Sequence, residues 1–97
     1  MIGRSTRKVE GGKLLSVEIV FDQTINRIEI TGDFFIHPEE KLQDIEQALV
    51  GINIDENEAM ITDLIRQTVV SKKIEMIGVT PEGIAAAVEE ALKCSGD

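Results

Sequence analysis

The chain has 97 residues, of which 42% are hydrophobic and 29% are charged, a composition typical of one globular domain rather than of a disordered segment. Its net charge of −8 and its lack of Trp and Tyr exclude most nucleic-acid binding modes, which need cations or stacking aromatics. No stretch approaches the roughly 20 apolar residues of a membrane span. The N-terminus has no apolar signal segment. We therefore expect a single domain over residues 1–97, located in the cytoplasm and not bound to a membrane.

The first thirteen residues are basic, whereas the rest of the chain is acidic. The charged residues of this basic head are Arg4, Arg7, Lys8, Glu10 and Lys13. A basic head on an acidic body indicates contact with an anion or with an acidic partner surface. The alternative is that residues 1–7 form a solvated, loose terminus, as chain ends often do.

Two runs of alternating apolar and polar residues predict an antiparallel hairpin. The first run spans residues 13–21 and the second spans residues 25–31, with a short polar turn between them. Alternation assigns the inward face to Leu15, Val17, Ile19, Phe21, Ile28 and Ile30. It assigns the outward face to Leu14, Ser16, Glu18, Val20, Ile25, Arg27, Glu29 and Thr31. We expect the inward face to be covered by helices.

Capping residues mark three helices. The first is predicted to begin at His37-Pro38 and to end at Gly51, because Pro fits the first helical turn and Gly the C-terminal cap. The second is predicted to begin at Asp55, which with Glu58 has the spacing of a capping box. The third is predicted to begin at Thr80-Pro81. A short third strand is predicted over residues 74–79. The predicted fold class is α+β: a small antiparallel sheet, made of the hairpin plus the short third strand, covered on one face by three helices.

Few residues carry the chemistry of a self-sufficient enzyme. His37 is the only histidine; at a helix start, a capping role is favoured over that of a general base. No second histidine completes a zinc motif, so no metal site is predicted. Cys94 is the only cysteine. It excludes an internal disulfide, and because no cluster of cations lies near it in the sequence it is expected to be unreactive.

Gly11-Gly12-Lys13 resembles a phosphate loop only in part. A Walker A loop needs Gly at the position of Arg7 and Ser or Thr at the position of Leu14. Two adjacent glycines nevertheless let backbone N–H groups approach a ligand closely, and the lysine adds a positive charge. The alternative is that the glycine pair is only the turn that leads into the hairpin.

The segment after the hairpin contains a candidate interface residue. Gly32 ends the second strand, and the alternation continues inward at Phe34 and Ile36. It therefore turns Asp33 and Phe35 outward. An outward Phe beside an acid is typical of an anchor in a protein interface. The alternative is that Phe35 folds under the first helix as part of the core.

Three segments together resemble the accessory domain of lipoate–protein ligase. They are residues 8–14 (KVEGGKL), 30–40 (ITGDFFIHPEE) and 78–82 (GVTPE). The resemblance spans roughly residues 8–93, and a chain of this size is similar to the separate small subunit found in archaea. Glu10 stands where the family commonly has Pro before the glycine pair.

The resemblance implies a non-catalytic accessory subunit. The catalytic subunit would hold ATP, Mg and lipoate, and the heterodimer would activate lipoate to lipoyl-AMP before transfer to a lipoyl-domain acceptor protein. The isolated chain is expected to bind no cofactor and to have no independent activity. The residues expected to complete a ligand site or active site are Gly11, Gly12 and Lys13. Those expected in the partner interface are Lys8, Asp33, Phe35 and His37.

Two other functions remain open from the sequence. One is a small-ligand-binding regulatory module that has no ligase partner. The other is a free-standing enzyme, which would depend on His37 and scattered acids alone.

Overall fold

The computed structural model describes residues 1–9 and 13–93, and it confirms the predicted α+β class. The strands are β1 (Ile2–Val9), β2 (Lys13–Phe21), β3 (Ile25–Gly32), β4 (Phe35–His37) and β5 (Glu75–Ile77). The helices are α1 (Leu42–Leu49), α2 (Glu58–Ser71) and α3 (Pro81–Lys93), and a 3-10 turn at Glu39–Lys41 precedes α1. Within the described part of the chain, no helix has both the length and the apolar character that crossing a membrane requires.

The main sheet has three antiparallel strands in the order β1-β2-β3. The prediction of a loose terminus over residues 1–7 is wrong, because β1 pairs with β2 continuously from Ile2 opposite Val20 to Val9 opposite Lys13. Apolar alternation gave no sign of this strand. Its inward positions include Gly3 and Ser5, which are buried although neither has a large apolar side chain.

Small residues let α3 lie directly against β1. A Cβ atom added at Gly3 would lie 2.0 Å from the carbonyl oxygen of Ala91. Two residues along the strand, the Ser5 hydroxyl donates a hydrogen bond of 2.7 Å to the carbonyl oxygen of Ala87. The helix therefore touches the strand backbone, and the contact holds the two ends of the chain together.

The predicted hairpin is confirmed as β2 and β3, with one correction. All six residues assigned to its inward face are buried in the core. Ile25 was assigned to the outward face but is only 1% exposed. The cause is an irregularity in the register near Val20 and Phe21, which places Ile25 opposite Phe21 on the buried side. A bulge of this kind shifts the alternation by one residue.

The short strand predicted over residues 74–79 exists as β5, but it does not extend the hairpin. It pairs with β4 in a separate two-stranded antiparallel sheet, in which Phe35 lies opposite Ile77 and His37 lies opposite Glu75. Ile36 points into the core, whereas Phe35 is 64% exposed. The alternative that placed Phe35 in the core is therefore wrong.

The helices pack on one face of the main sheet, as predicted. α3 contacts β1 and β2, α1 contacts β3, and α2 packs against α1 and α3. The second helix begins later than predicted, because the side chain of Asn57, not Asp55, caps it by accepting a hydrogen bond of 2.9 Å from the Met60 N–H. Thr80 caps α3 in the predicted way, with its hydroxyl oxygen 3.0 Å from the Gly83 nitrogen.

Gly3→Ala tests the contact between α3 and β1. We expect it to lower the free energy of unfolding by about 2–3 kcal/mol, because the new methyl group must displace a backbone rather than a flexible side chain. The control is Ile2→Ala on the opposite, exposed face of the same strand, expected to cost less than about 1 kcal/mol. Urea denaturation measures both, and equal losses in the two variants would contradict the close approach.

Candidate functional site

One end of the main sheet brings together three of the predicted site residues. Lys8 of β1 lies opposite Leu14, Lys13 begins β2, and the Asp33 N–H donates a hydrogen bond of 2.9 Å to the Leu14 carbonyl oxygen. The side chains of Lys8, Lys13, Leu14 and Asp33 are all exposed. We call these four residues the Lys8–Asp33 cluster.

A close backbone approach positions the acid of this cluster. Gly32 has a φ of +154°, and a Cβ atom there would lie 2.2 Å from the Leu14 carbonyl oxygen. Only glycine fits such a contact without moving a backbone. The chain can therefore turn at the end of β3 while Asp33 stays bonded to β2.

The charges of the cluster are available to solvent. Among residues 1–9 and 13–93, no ion pair within 4.0 Å involves Lys8, Lys13 or Asp33. The other cations of the basic head are paired: Arg4 Nε lies 2.6 Å from a Glu18 carboxylate oxygen, and Arg7 lies 3.4 Å from Glu90. No other described side chain within 4.0 Å therefore neutralises the charges of Lys8, Lys13 or Asp33.

An apolar surface lies on the outward side of the small sheet. It consists of Phe35, His37, Glu75 and Ile77, which we call the β4–β5 face. Phe35 is 64% exposed and Ile77 is 47% exposed, and the two are cross-strand neighbours. The pair of His37 and Glu75 forms a polar border beside them. An apolar centre with a polar border is the usual arrangement of a protein-binding surface.

His37 does not have its predicted capping role. It is the last residue of β4, and Pro38 occupies the N-cap position of the following 3-10 turn without any side-chain cap. The prediction that His37 caps a helix is therefore wrong. His37 lies at the edge of the β4–β5 face, and its predicted role in the partner interface stays a prediction.

The Lys8–Asp33 cluster and the β4–β5 face are joined through Phe34. This residue follows Asp33, precedes Phe35, and packs against the hydrophobic core. Gly78, which follows β5, lies within 4 Å of both Asp33 and Phe34 when measured from an ideal Cβ position. The two surfaces are therefore neighbours.

Ile77 belongs to the β4–β5 face but was not predicted from the sequence as a site residue. The signal for Ile77 was the alternation across β5: Ile74 is buried, Met76 packs against the core, and Ile77 is exposed. Gly11 and Gly12 lie outside the described residues, as does Cys94. Their predicted roles stay predictions.

A groove of about 700 Å³ lies between the start of α2 and the second half of α3. Its cations are engaged, since Arg7 pairs with Glu90, and Lys93 lies 3.4 Å from Glu89. No group of three or more His, Cys, Asp or Glu residues suited to a metal ion occurs in the described ranges. The cluster and the β4–β5 face therefore remain the stronger candidate site.

Comparison with solved structures gives a near full-length match. The chain is similar to a chain from Thermoplasma acidophilum in a structure described as an archaeal lipoylation system, with a bi-partite lipoate protein ligase and its E2 lipoyl domain. Identity is 29%, the TM-score is 0.74, and the match covers 91% of this chain and 94% of that chain. No protein-family model and no curated protein matches the chain. The structural match confirms the resemblance seen in the sequence.

The free edge of β3 is partly occupied by a carboxylate. Glu46 of α1 lines a groove of about 320 Å³ beside β3, and its Oε2 accepts a hydrogen bond of 2.8 Å from the Ile30 N–H. Burial raises the pKa of Glu46, and the nearby Glu29 charge adds to the rise, while the bond from Ile30 opposes it. The Glu46 carboxylate thus provides a hydrogen-bond acceptor for the Ile30 N–H at the edge of β3, although its burial removes part of its hydration.

Glu46→Gln tests the raised pKa of Glu46 through the pH dependence of the free energy of unfolding. A raised folded-state pKa means that the folded chain binds the proton more tightly, so this residue favours folding most below the unfolded pKa of roughly 4.3. That contribution is lost as pH rises through the folded pKa. The stability of Glu46→Gln relative to wild type should therefore increase between about pH 4 and pH 7. Glu46→Ala, which leaves Ile30 without its acceptor, should be destabilised at both ends of this range. A pH-independent difference between Gln and wild type in urea denaturation would contradict the raised pKa.

Proposed function

We propose that this chain is a non-catalytic accessory subunit of a lipoate–protein ligase. It would act with a catalytic subunit in the ATP-dependent activation of lipoate to lipoyl-AMP, which precedes transfer to a lipoyl-domain acceptor. The proposal depends on one observation above all, the near full-length match to a chain of the Thermoplasma bi-partite system. At 29% identity and a TM-score of 0.74, the likeness extends to sequence as well as fold.

The size of the matched chain supports a two-chain arrangement. Because the alignment covers nearly all of both chains, the Thermoplasma chain is about as long as this one. A ligase described as bi-partite needs a second part, and we infer that the second part carries the catalytic machinery. In this proposal ATP, Mg and lipoate are held by that catalytic subunit, and the two chains form a heterodimer.

The charge of the Lys8–Asp33 cluster suits a role in adenylation. Adenylation joins a carboxylate oxygen to the α-phosphorus of ATP and releases pyrophosphate, so two anions must be brought together. A preorganised cation lowers the energy of that approach, most of all where water is excluded. Lys13 is exposed and makes no ion pair with a described residue, and it follows directly on the glycine pair. We therefore propose that Lys13 approaches the reacting anions when the subunits meet.

The β4–β5 face suits attachment to the catalytic subunit. An exposed Phe loses its contact with water when a partner covers it, and aromatic residues in such positions supply much of the binding free energy of an interface. Phe35 is backed by Ile77 on the neighbouring strand, which widens the apolar contact. Its position next to the Lys8–Asp33 cluster would place attachment beside the reacting centre.

Lys13→Ala tests the active-site role. We expect it to slow lipoyl-AMP formation in the reconstituted pair by about tenfold to 100-fold, measured as pyrophosphate release. Transfer from preformed lipoyl-AMP to a lipoyl domain should stay near the wild-type rate, because that step no longer needs ATP. Lys72→Ala, which removes an exposed lysine at the end of α2, is the control. An unchanged activation rate in Lys13→Ala would remove this lysine from the mechanism.

Phe35→Ala tests the interface role. We expect the dissociation constant of the heterodimer to rise by about tenfold or more, as measured by calorimetry, while the fold of the isolated chain is retained. The matched control is Val70→Ala, since Val70 is 72% exposed on α2 and is not part of the proposed surface. Equal affinity of the two variants would count against the β4–β5 face. If the isolated chain bound lipoate or ATP and no ligase subunit, the regulatory-module function would be favoured instead.

A further inference from the structure

The outer edge of β1 is not paired with any described strand. The Phe21 N–H donates a hydrogen bond of 2.9 Å to the Met1 carbonyl oxygen, and the N-terminal ammonium of Met1 donates one of 2.8 Å to the Phe21 carbonyl oxygen. Because hydrogen-bonded and non-hydrogen-bonded pairs alternate along an antiparallel ladder, the odd-numbered residues of β1 bond to β2. The N–H and C=O groups of Ile2, Arg4, Thr6 and Lys8 therefore point away from the sheet.

No described group satisfies this edge. Within residues 1–9 and 13–93, no hydrogen bond reaches the backbone of these four residues, and α3 covers the face of β1 rather than its edge. The strand is eight residues long, contains no Pro, and pairs with β2 without a bulge. A long, regular edge of this kind can template the addition of another strand.

The charge on β1 has one sign. The strand carries Arg4, Arg7 and Lys8 and no acidic residue. Lys8 makes no ion pair with a described residue, and the pair of Arg4 with Glu18 engages only Nε of the guanidinium. The remaining guanidinium N–H groups and the Lys8 ammonium, which no described carboxylate engages, can donate hydrogen bonds to carboxylates of a neighbouring strand.

We propose that an extended acidic segment of the ligase's catalytic subunit adds to β1 as a fourth strand. The proposal rests on the proposed function for the identity of the partner. Main-chain bonds to Ile2, Arg4, Thr6 and Lys8 would supply the pairing. Arg4 and Lys8 are four residues apart on the exposed face, about 13 Å along the strand, so the added strand should carry acidic residues at the same spacing.

The same charge argues against a second copy of this chain as the occupant. An antiparallel pair of β1 strands centred on Thr6 would place Arg4 opposite Lys8 of the other copy, and like charges in that position are destabilising. Other registers also bring together two strands that each have three cations and no acid. Charge therefore selects an acidic partner strand over self-pairing.

Thr6→Pro, compared with Thr6→Ala, is the direct test. Both variants lose the contact between the hydroxyls of Thr6 and Ser16, but only proline removes the outward N–H, and β1 keeps its bonds to β2. We expect Thr6→Pro to weaken the complex with the catalytic subunit at least tenfold and Thr6→Ala to change it less than twofold. Arg4→Gln should weaken the complex and reduce its salt dependence, unlike Arg27→Gln at the far side of the same sheet face. Equal affinities for the proline and alanine variants would overturn the proposal.

Amide exchange on the wild-type chain tests the added strand even if Thr6→Pro does not fold. In the complex, NMR should show the Arg4, Thr6 and Lys8 amides exchanging at least tenfold more slowly than in the free chain. A complex that forms while these amides exchange as before would overturn the added strand and leave the proposed function intact. Failure to form any complex would overturn both, and a homodimer that protects the same amides would show that a second copy is the occupant.

Discussion

The backbone contact between α3 and β1 is the constraint on which the rest of the molecule depends. Gly3 lies so close to the Ala91 carbonyl that no side chain fits between them, and Ser5 bonds to Ala87 in the next turn. This contact fixes the first strand beneath the last helix. It therefore adds a third strand to the hairpin and places Lys8 beside Leu14. The outer edge of β1 then has no neighbour among the described residues.

The exposure of Phe35 follows from the core rather than from a loose loop. Phe34 and Ile36 on either side of it pack inward, and Gly32 lets the chain leave β3 without losing the bond from Asp33 to Leu14. Strand alternation then turns Phe35 outward beside Ile77. Phe35 is 64% exposed and lies outside the hydrophobic core of the described residues. In the proposed function, the catalytic subunit would cover its ring.

The sequence predicted those elements whose inward residues are large and regularly spaced. β2 and β3 are of this kind, and Phe35 was placed outward by the same alternation. α3 was predicted instead from its Thr80-Pro81 start, since its buried face is mostly alanine. The sequence did not predict β1, because a strand that faces a helix backbone needs small residues such as Gly3 and Ser5, which give no periodic signal. Ile25 was misplaced because a bulge is set by pairing with Phe21, and the partner of β5 was missed because β4 is distant in the chain. For the site, Lys8 and Asp33 were identified separately, but only the register places both beside Leu14.

Lys8 connects the two surfaces through which this chain would meet a partner. Its side chain belongs to the Lys8–Asp33 cluster, while its backbone N–H and C=O face the free edge of β1. An acidic strand on that edge would neutralise Lys8 first, because Lys8 has no described ion-pair partner. Lys13 lies on β2, which is one strand away from the edge, and so would keep its charge for the anionic substrates of the proposed reaction. In this proposal the two lysines would therefore have different roles that follow from their strands: Lys8 would bind the partner strand, and Lys13 would approach the reacting anions.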